Sequence, residues 1–107
     1  MSQSRIEQLN KFLEQNPDDS FVKYALAIEY VTRGDDNSAL GYFQSILEHH
    51  PGYTATYYHL GKLYQRRNEN GTAEKVYREG MRRTTGKEQR AYNELQQALN
   101  ELLGEEE

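Results

Sequence analysis

Three histidines, His49, His50 and His59, are the side chains in this sequence best suited to holding a metal ion or moving a proton near neutral pH. His49 and His50 close one apolar-periodic stretch just before Pro51, and His59 falls in the middle of the next. Neighbouring positions on a helix diverge by about 100°, so at most one of the pair could join His59. The expected role is plain exposed histidine near a helix end, with no metal and no cofactor. Two carboxylate pairs, Asp18-Asp19 and Asp35-Asp36, have the residue types of a general acid and base. Both stand at helix starts, where capping and the helix dipole account for them without catalysis. No nucleophile motif, phosphate-cradling glycine loop or His-Glu metal pattern is present. With no cysteine there is neither a disulfide nor a thiolate metal ligand. The chain is therefore expected not to be an enzyme.

Charge narrows the partner class. The 107 residues carry a net charge of −4, unevenly placed. Residues 1–53 hold four basic and eight acidic side chains, whereas residues 62–90 hold nine basic against four acidic. A basic segment can attract nucleic acid. Here Glu69, Glu74 and Glu79 are interleaved with the cations, which reads as a solvated helix face, and nucleic acid is disfavoured. No apolar run approaches a membrane span and no signal-peptide core follows Met1, so a cytoplasmic protein without membrane contact is expected. Leu, Ile, Val and Phe are few, but nine tyrosines supply apolar area in their place.

The elements that must position these residues are helices. Ser4-Arg5-Ile6-Glu7 is a capping box, followed by the stripe Ile6, Leu9, Phe12 and Leu13 until Asn16-Pro17 stops the helix. Asp18, Asp19 and Ser20 offer the next N-cap, for a helix from about Ser20 to Arg33 that Gly34 ends in the left-handed region. A partner helix runs from Asp36-Asn37 to about His49. The next pair spans about Tyr53–Arg67 and Asn70–Arg83, with Asn68 at the turn between them. Thr85-Gly-Lys-Glu88 is another capping box and opens a last helix to about Leu103, stopped by Gly104.

Two of these pairs share one grammar. The later reads Tyr57-x2-Leu60-Gly61-x2-Tyr64 and then Ala73-x3-Tyr77. The earlier reads Leu26-Ala27-x2-Tyr30, then Ala39-x3-Phe43, and Pro17 and Pro51 lie 34 residues apart. Small residues at Ala27 or Gly61, and at Ala39 or Ala73, let two antiparallel helices approach closely, while the large ones fill the space beside the contact. This pattern resembles the tetratricopeptide repeat (TPR), a 34-residue helical hairpin. The resemblance implies an all-α fold, a right-handed antiparallel array of helix hairpins forming an α-solenoid of about five helices.

The implied organisation is a single TPR-like domain over 1–103. It comprises an N-terminal cap helix (4–16), repeat 1 (20–51), repeat 2 (54–85) and a C-terminal cap helix (87–103), with an acidic tail at 104–107. The first repeat departs from the pattern at Lys23, where an aromatic is usual, so Phe21 or Val22 is expected to do that packing. Gly80 and Thr85 replace the usual Ala and Pro, which predicts a looser end for that helix. In the last helix strict counting would bury Glu94, so a one-residue shift that buries Tyr92, Leu95 and Leu99 is preferred.

Function follows from the resemblance alone: a non-catalytic protein-protein interaction module that docks an extended or helical peptide in the groove of its first-in-pair helices. By repeat position the groove residues are Tyr24, Ile28 and Val31 from the first repeat, and Tyr58, His59, Lys62, Gln65 and Arg66 from the second. The set implies an apolar end beside a basic end, suited to a peptide with an apolar anchor and a nearby acidic residue. The carboxylate clamp with which some members hold chaperone tails is absent, since those places carry Tyr24, Ile28 and His59, and then Gln89 and Asn93, or Arg90 and Glu94 in the shifted register. From the last helix Asn93 or Gln97 is expected to join the groove, depending on register. The alternative is self-assembly into a homo-oligomer through repeat surfaces.

Overall fold

The computed structural model describes residues 2–105, with side chains from 5 to 104. The Ser4 hydroxyl of the expected first capping box and most of the acidic tail lie outside those limits. Among the described residues there are six helices and no strand: α1 (Ser2–Gln15), α2 (Ser20–Thr32), α3 (Asp36–His49), α4 (Ala55–Arg66), α5 (Asn70–Thr84) and α6 (Gln89–Glu105). The all-α class is as expected, with six helices where about five were anticipated. The chain divides into two compact units, Met1–Tyr53 and Thr54–Glu107.

In the first unit, the Asp19 carboxylate accepts the Val22 N–H at 3.0 Å and so caps α2. Gly34 (φ 78°) closes that helix. Asp35 then caps α3, accepting the Ser38 N–H at 3.2 Å and the Ser38 hydroxyl at 2.8 Å. One member of each carboxylate pair is thereby engaged in capping. Leu26, Ala27, Ala39, Phe43 and Ile46 are fully buried where α2 meets α3. α1 lies against α2 through Ile6, Val22 and Leu26, with Leu9, Leu13, Tyr30 and Tyr42 partly buried around them. The Tyr30 and Tyr42 rings stack 5.9 Å apart, and Arg5 reaches Glu29 at 2.9 Å. α1 begins at Ser2, which puts Ser4 inside its first turn rather than at a cap. Of the two candidates near Lys23, Val22 does the packing, and Phe21 points to solvent at 63% exposure. Lys23 is itself buried, as its apolar stem allows.

The second unit is set by two glycines. A Cβ built at Gly61 of α4 would fall within the Tyr77 ring of α5. One built at Gly80 of α5 would lie 2.6 Å from Tyr57 Cβ and 2.9 Å from Leu95 Cδ1. The α5 end expected to be loose is thus tightly packed on both neighbours, with Thr84 fully buried and its hydroxyl donated to the Gly80 carbonyl at 2.9 Å. Asn68 takes the left-handed turn position at φ 62°.

Two expected boundaries of α6 shift. Thr85 ends α5 by donating its N–H to the Met81 carbonyl, and Gly86 (φ 73°) makes the turn. Glu88 accepts the Thr54 hydroxyl at 2.8 Å, tying the starts of α4 and α6 together instead of closing a box with Thr85. At the far end α6 continues through Gly104, with Leu102 fully buried in its last turns. Its buried stripe is Leu95, Ala98, Leu99 and Leu102, and Glu94 is exposed, which matches the shifted register at Leu95 and Leu99; Tyr92, expected in the core, is only half-buried, beside Met81 and Thr85 in an open surface concavity.

The outer face of α5 carries its own counter-ions. Glu79 meets Arg82 at 2.6 Å and Arg83 at 2.8 Å, and Glu74 meets Arg78 at 2.9 Å. Hydrogen bonds from Arg82, and then from Arg83, hold the Glu79 carboxyl down at about 2.

Gly41 of α3 has nothing within 4 Å of a built Cβ. Gly41→Ala should therefore stabilise the protein by about 0.5–1 kcal/mol through helix propensity. Gly80→Ala, with the same propensity gain, should lose about 1–2 kcal/mol net to overpacking. Thermal melts of the two variants should move in opposite directions; a rise in both would mean that Gly80 is not a close-contact position.

Candidate peptide-binding cleft

Within the second unit α4 and α6 leave between them a cleft of about 440 Å³. One wall is Tyr58, His59 and Lys62 of α4, at positions i, i+1 and i+4. The other is Glu94, Gln97, Ala98 and Glu101 of α6, at i, i+3, i+4 and i+7, which is one helix face. Leu60 and Leu63 of α4, and Leu95, Leu99 and Leu102 of α6, are buried and fix how the two helices present these faces.

The walls are polar and mutually engaged. The Tyr58 and His59 rings meet edge to face at 5.3 Å. The Lys62 ammonium lies 5.6 Å from the Tyr58 ring centre and 4.0 Å from a Glu101 carboxylate oxygen. Burial lowers the His59 imidazole from its ordinary 6.5, and the nearby Glu94 charge offsets part of that effect. Ala98 is buried and small, which leaves depth between the polar groups.

Three of the groove residues expected from the sequence, Tyr58, His59 and Lys62, are thus brought together. Gln65 and Arg66 are not among the cleft's lining residues. Gln65 accepts the Tyr77 hydroxyl at 3.0 Å, so its amide serves the buried ring, and Arg66 is exposed in the last turn of α4. Tyr24 of the first unit is half-buried, edge-on to Phe43 at 6.5 Å and tilted on Tyr53 at 5.7 Å. Burial, and then Tyr53, raise its hydroxyl pKa. Ile28 and Val31 are half-buried on the same helix.

Sequence reasoning allows Gln97 in the groove, but it names Glu94 only as a departure from the clamp or as a cost to bury and does not find Glu101, so the two glutamates are not read as a pair. Their signal is visible once the last helix takes its shifted register. They then stand seven residues apart beside the stripe of Leu95, Ala98 and Leu102. A second concavity, also about 440 Å³, lies in the first unit among Leu13, Pro17, Lys23, Tyr42 and His49 and holds none of the expected groove residues. His49 bonds the Ser45 carbonyl through Nδ1 at 2.9 Å. Among the described residues no three His, Asp or Glu side chains gather as a metal site, and no helix is long and apolar enough to cross a membrane.

Neither a family model nor a curated protein sequence matches the chain. Solved structures do. A tetratricopeptide repeat domain protein from Salinibacter ruber is 37% identical at a TM-score of 0.76, over 80% of this chain and 97% of that one. A protein from Bordetella parapertussis is 25% identical at 0.79, over 94% and 88%. The MamA protein is similar in fold, at 21% identity and 0.76, over 97% of this chain and 60% of its own.

His59 gives the cleft a titration signature. Its midpoint, followed by NMR of the imidazole protons, should fall below 6.5. Glu94→Gln should lower it further, since the Glu94 charge favours the imidazolium. A depressed folded pKa means that the stability attached to neutral His59 is complete above the unfolded value and is lost as pH falls through the folded one. A midpoint at 6.5 would place His59 in solvent and one above it in a tight ion pair, neither of which fits this cleft.

Proposed function

The chain belongs to the tetratricopeptide repeat family, and from that premise we propose that its second unit docks a peptide segment of a partner protein in the cleft between α4 and α6. Members of this fold serve as protein-interaction repeat modules. The observation that carries the finer reading is the convergence of Tyr58, His59 and Lys62, three positions that the repeat pattern assigns to ligand contact, on one cleft of about 440 Å³. Tyr58 offers aromatic surface for an apolar anchor, and Gln97, whose NH2 donates to Glu101 at 3.3 Å, offers its amide oxygen to the peptide backbone. The anchor supplies most of the binding energy, and the exposed ion pairs contribute about 1 kcal/mol or less each. Affinity in the micromolar range, about −8 kcal/mol, suits a cleft of this size. The mechanism is docking, without catalysis, in the cytoplasm.

A second reading, assembly of copies of the chain, is favoured by Phe12 and Phe21. These two large apolar side chains of the first unit are 58% and 63% exposed.

Selection from a displayed library of short random peptides separates the two. The wild type should enrich a common motif, and Tyr58→Ala should fail to enrich it. Equal enrichment by both proteins would remove the ligand from this cleft. Light scattering over a concentration series should then give a mass that rises with concentration and falls in a Phe12→Ser, Phe21→Ser variant if assembly is the function.

A further inference from the structure

The cations of the second repeat, taken as a list, call for an acidic ligand. The cleft, which Lys62 alone of these cations lines, argues the reverse. Across from Lys62 stand two carboxylates, Glu94 and Glu101, which are two helical turns apart, about 10 Å along α6. The Lys62 ammonium is already shared, lying 4.0 Å from Glu101 and 5.6 Å from the Tyr58 ring centre. His59, half-buried beside Tyr58, stays neutral at pH 7 because burial disfavours its cation. The lining thus carries one positive and two negative side chains. Arg90 reaches Glu94 only at 3.7 Å from a side chain that is 95% exposed, and it is not part of the lining. Such an exposed contact is screened by water and easily exchanged.

A ligand carboxylate entering here would have to compete with Glu101 for Lys62 while meeting Glu94. A ligand ammonium or guanidinium would meet two carboxylates whose ion-pair contacts, at 3.7 and 4.0 Å, are long, although Glu101 also accepts an exposed hydrogen bond from the Gln97 amide at 3.3 Å. It would also find the Tyr58 face, which already lies within cation–π distance of an ammonium, and space above Ala98. Resting on the docking reading above, we infer that Glu94 and Glu101 make the cleft selective for a peptide presenting a lysine or arginine beside its apolar anchor. These two glutamates of the last helix are then the specificity-determining residues, and the repeat positions of α4 supply the anchor surface. The electrostatic part is exposed and sensitive to salt.

The test is peptide selection with three proteins: wild type, Glu94→Gln/Glu101→Gln, and Tyr58→Ala. Each is first checked by thermal melting, since both glutamates are exposed and their amides keep the same shape. The wild type should enrich Lys or Arg next to an aromatic or aliphatic residue. The double glutamine variant should keep the anchor and lose the basic preference. One enriched peptide with its basic residue changed to glutamine should bind the wild type about five- to tenfold more weakly, as loss of one or two exposed charge contacts implies. It should bind the glutamine variant as well as the parent peptide does. Enrichment of Asp or Glu by the wild type, or an unchanged basic preference in the glutamine variant, overturns the inference while leaving docking intact if Tyr58→Ala still abolishes selection. Selection that survives Tyr58→Ala overturns both.

Discussion

Tyr77 is wholly buried, with its ring over the bare backbone of Gly61 and its hydroxyl donated to Gln65 at 3.0 Å. An aromatic ring can lie so close to a facing helix only where that helix has no side chain, and a buried phenol needs an acceptor. One turn of α4 supplies both requirements. The same exchange of volume recurs at Gly80, whose missing Cβ makes room for Tyr57 of α4 and Leu95 of α6. α5 therefore holds both neighbours through glycine contacts, and the spacing of α4 and α6 follows from how closely each approaches it. The cleft is what remains between two helices fixed in this way.

The polar groups divide by position rather than by type. Asp19 and Asp35 are helix caps, and Thr54 with Glu88 ties two helix starts together. Glu79 is shared by two arginines, Arg82 and Arg83, on an exposed face. Gln65, which the repeat pattern places toward a ligand, accepts the Tyr77 hydroxyl. The Tyr58, His59, Lys62, Glu94 and Glu101 side chains differ from these. None of them caps a helix or satisfies a buried group in the contacts described above, and their loose mutual contacts can be exchanged for contacts to a ligand.

Much of this was legible in the chain itself. Alternation of small and large residues at four-residue spacing identifies two hairpins, because only such a pattern lets helices approach closely and fill the flanking space. Gly34, Asn68 and Asp35 mark turns and caps by local stereochemistry, and all three act where the sequence puts them. The conflict between strict repeat counting and the cost of burying Glu94 also resolves correctly from sequence, since a carboxylate without a partner is expensive in a core. Three positions of the cleft wall, Tyr58, His59 and Lys62, follow from the repeat period.

Tertiary structure alone decided the rest, because those outcomes depend on which groups lie across a gap. Thr85 and Glu88 have the spacing of a capping box, yet Glu88 takes the hydroxyl of Thr54, 34 residues earlier in the chain. Gly80 looked like a weakness in its helix and is a contact point, because its neighbours Tyr57 and Leu95 come from two other helices. Gly104 does not stop α6, whose last turns are held by the burial of Leu102. The charge of the cleft belongs to the same class. Counting along the repeat gives a cluster of cations, of which Lys62 alone lines the cleft, and folding sets Glu94 and Glu101 opposite it from a segment outside the repeat period. A periodic sequence specifies its own hairpins by local pattern, whereas what faces a hairpin depends on the docking of the next helix.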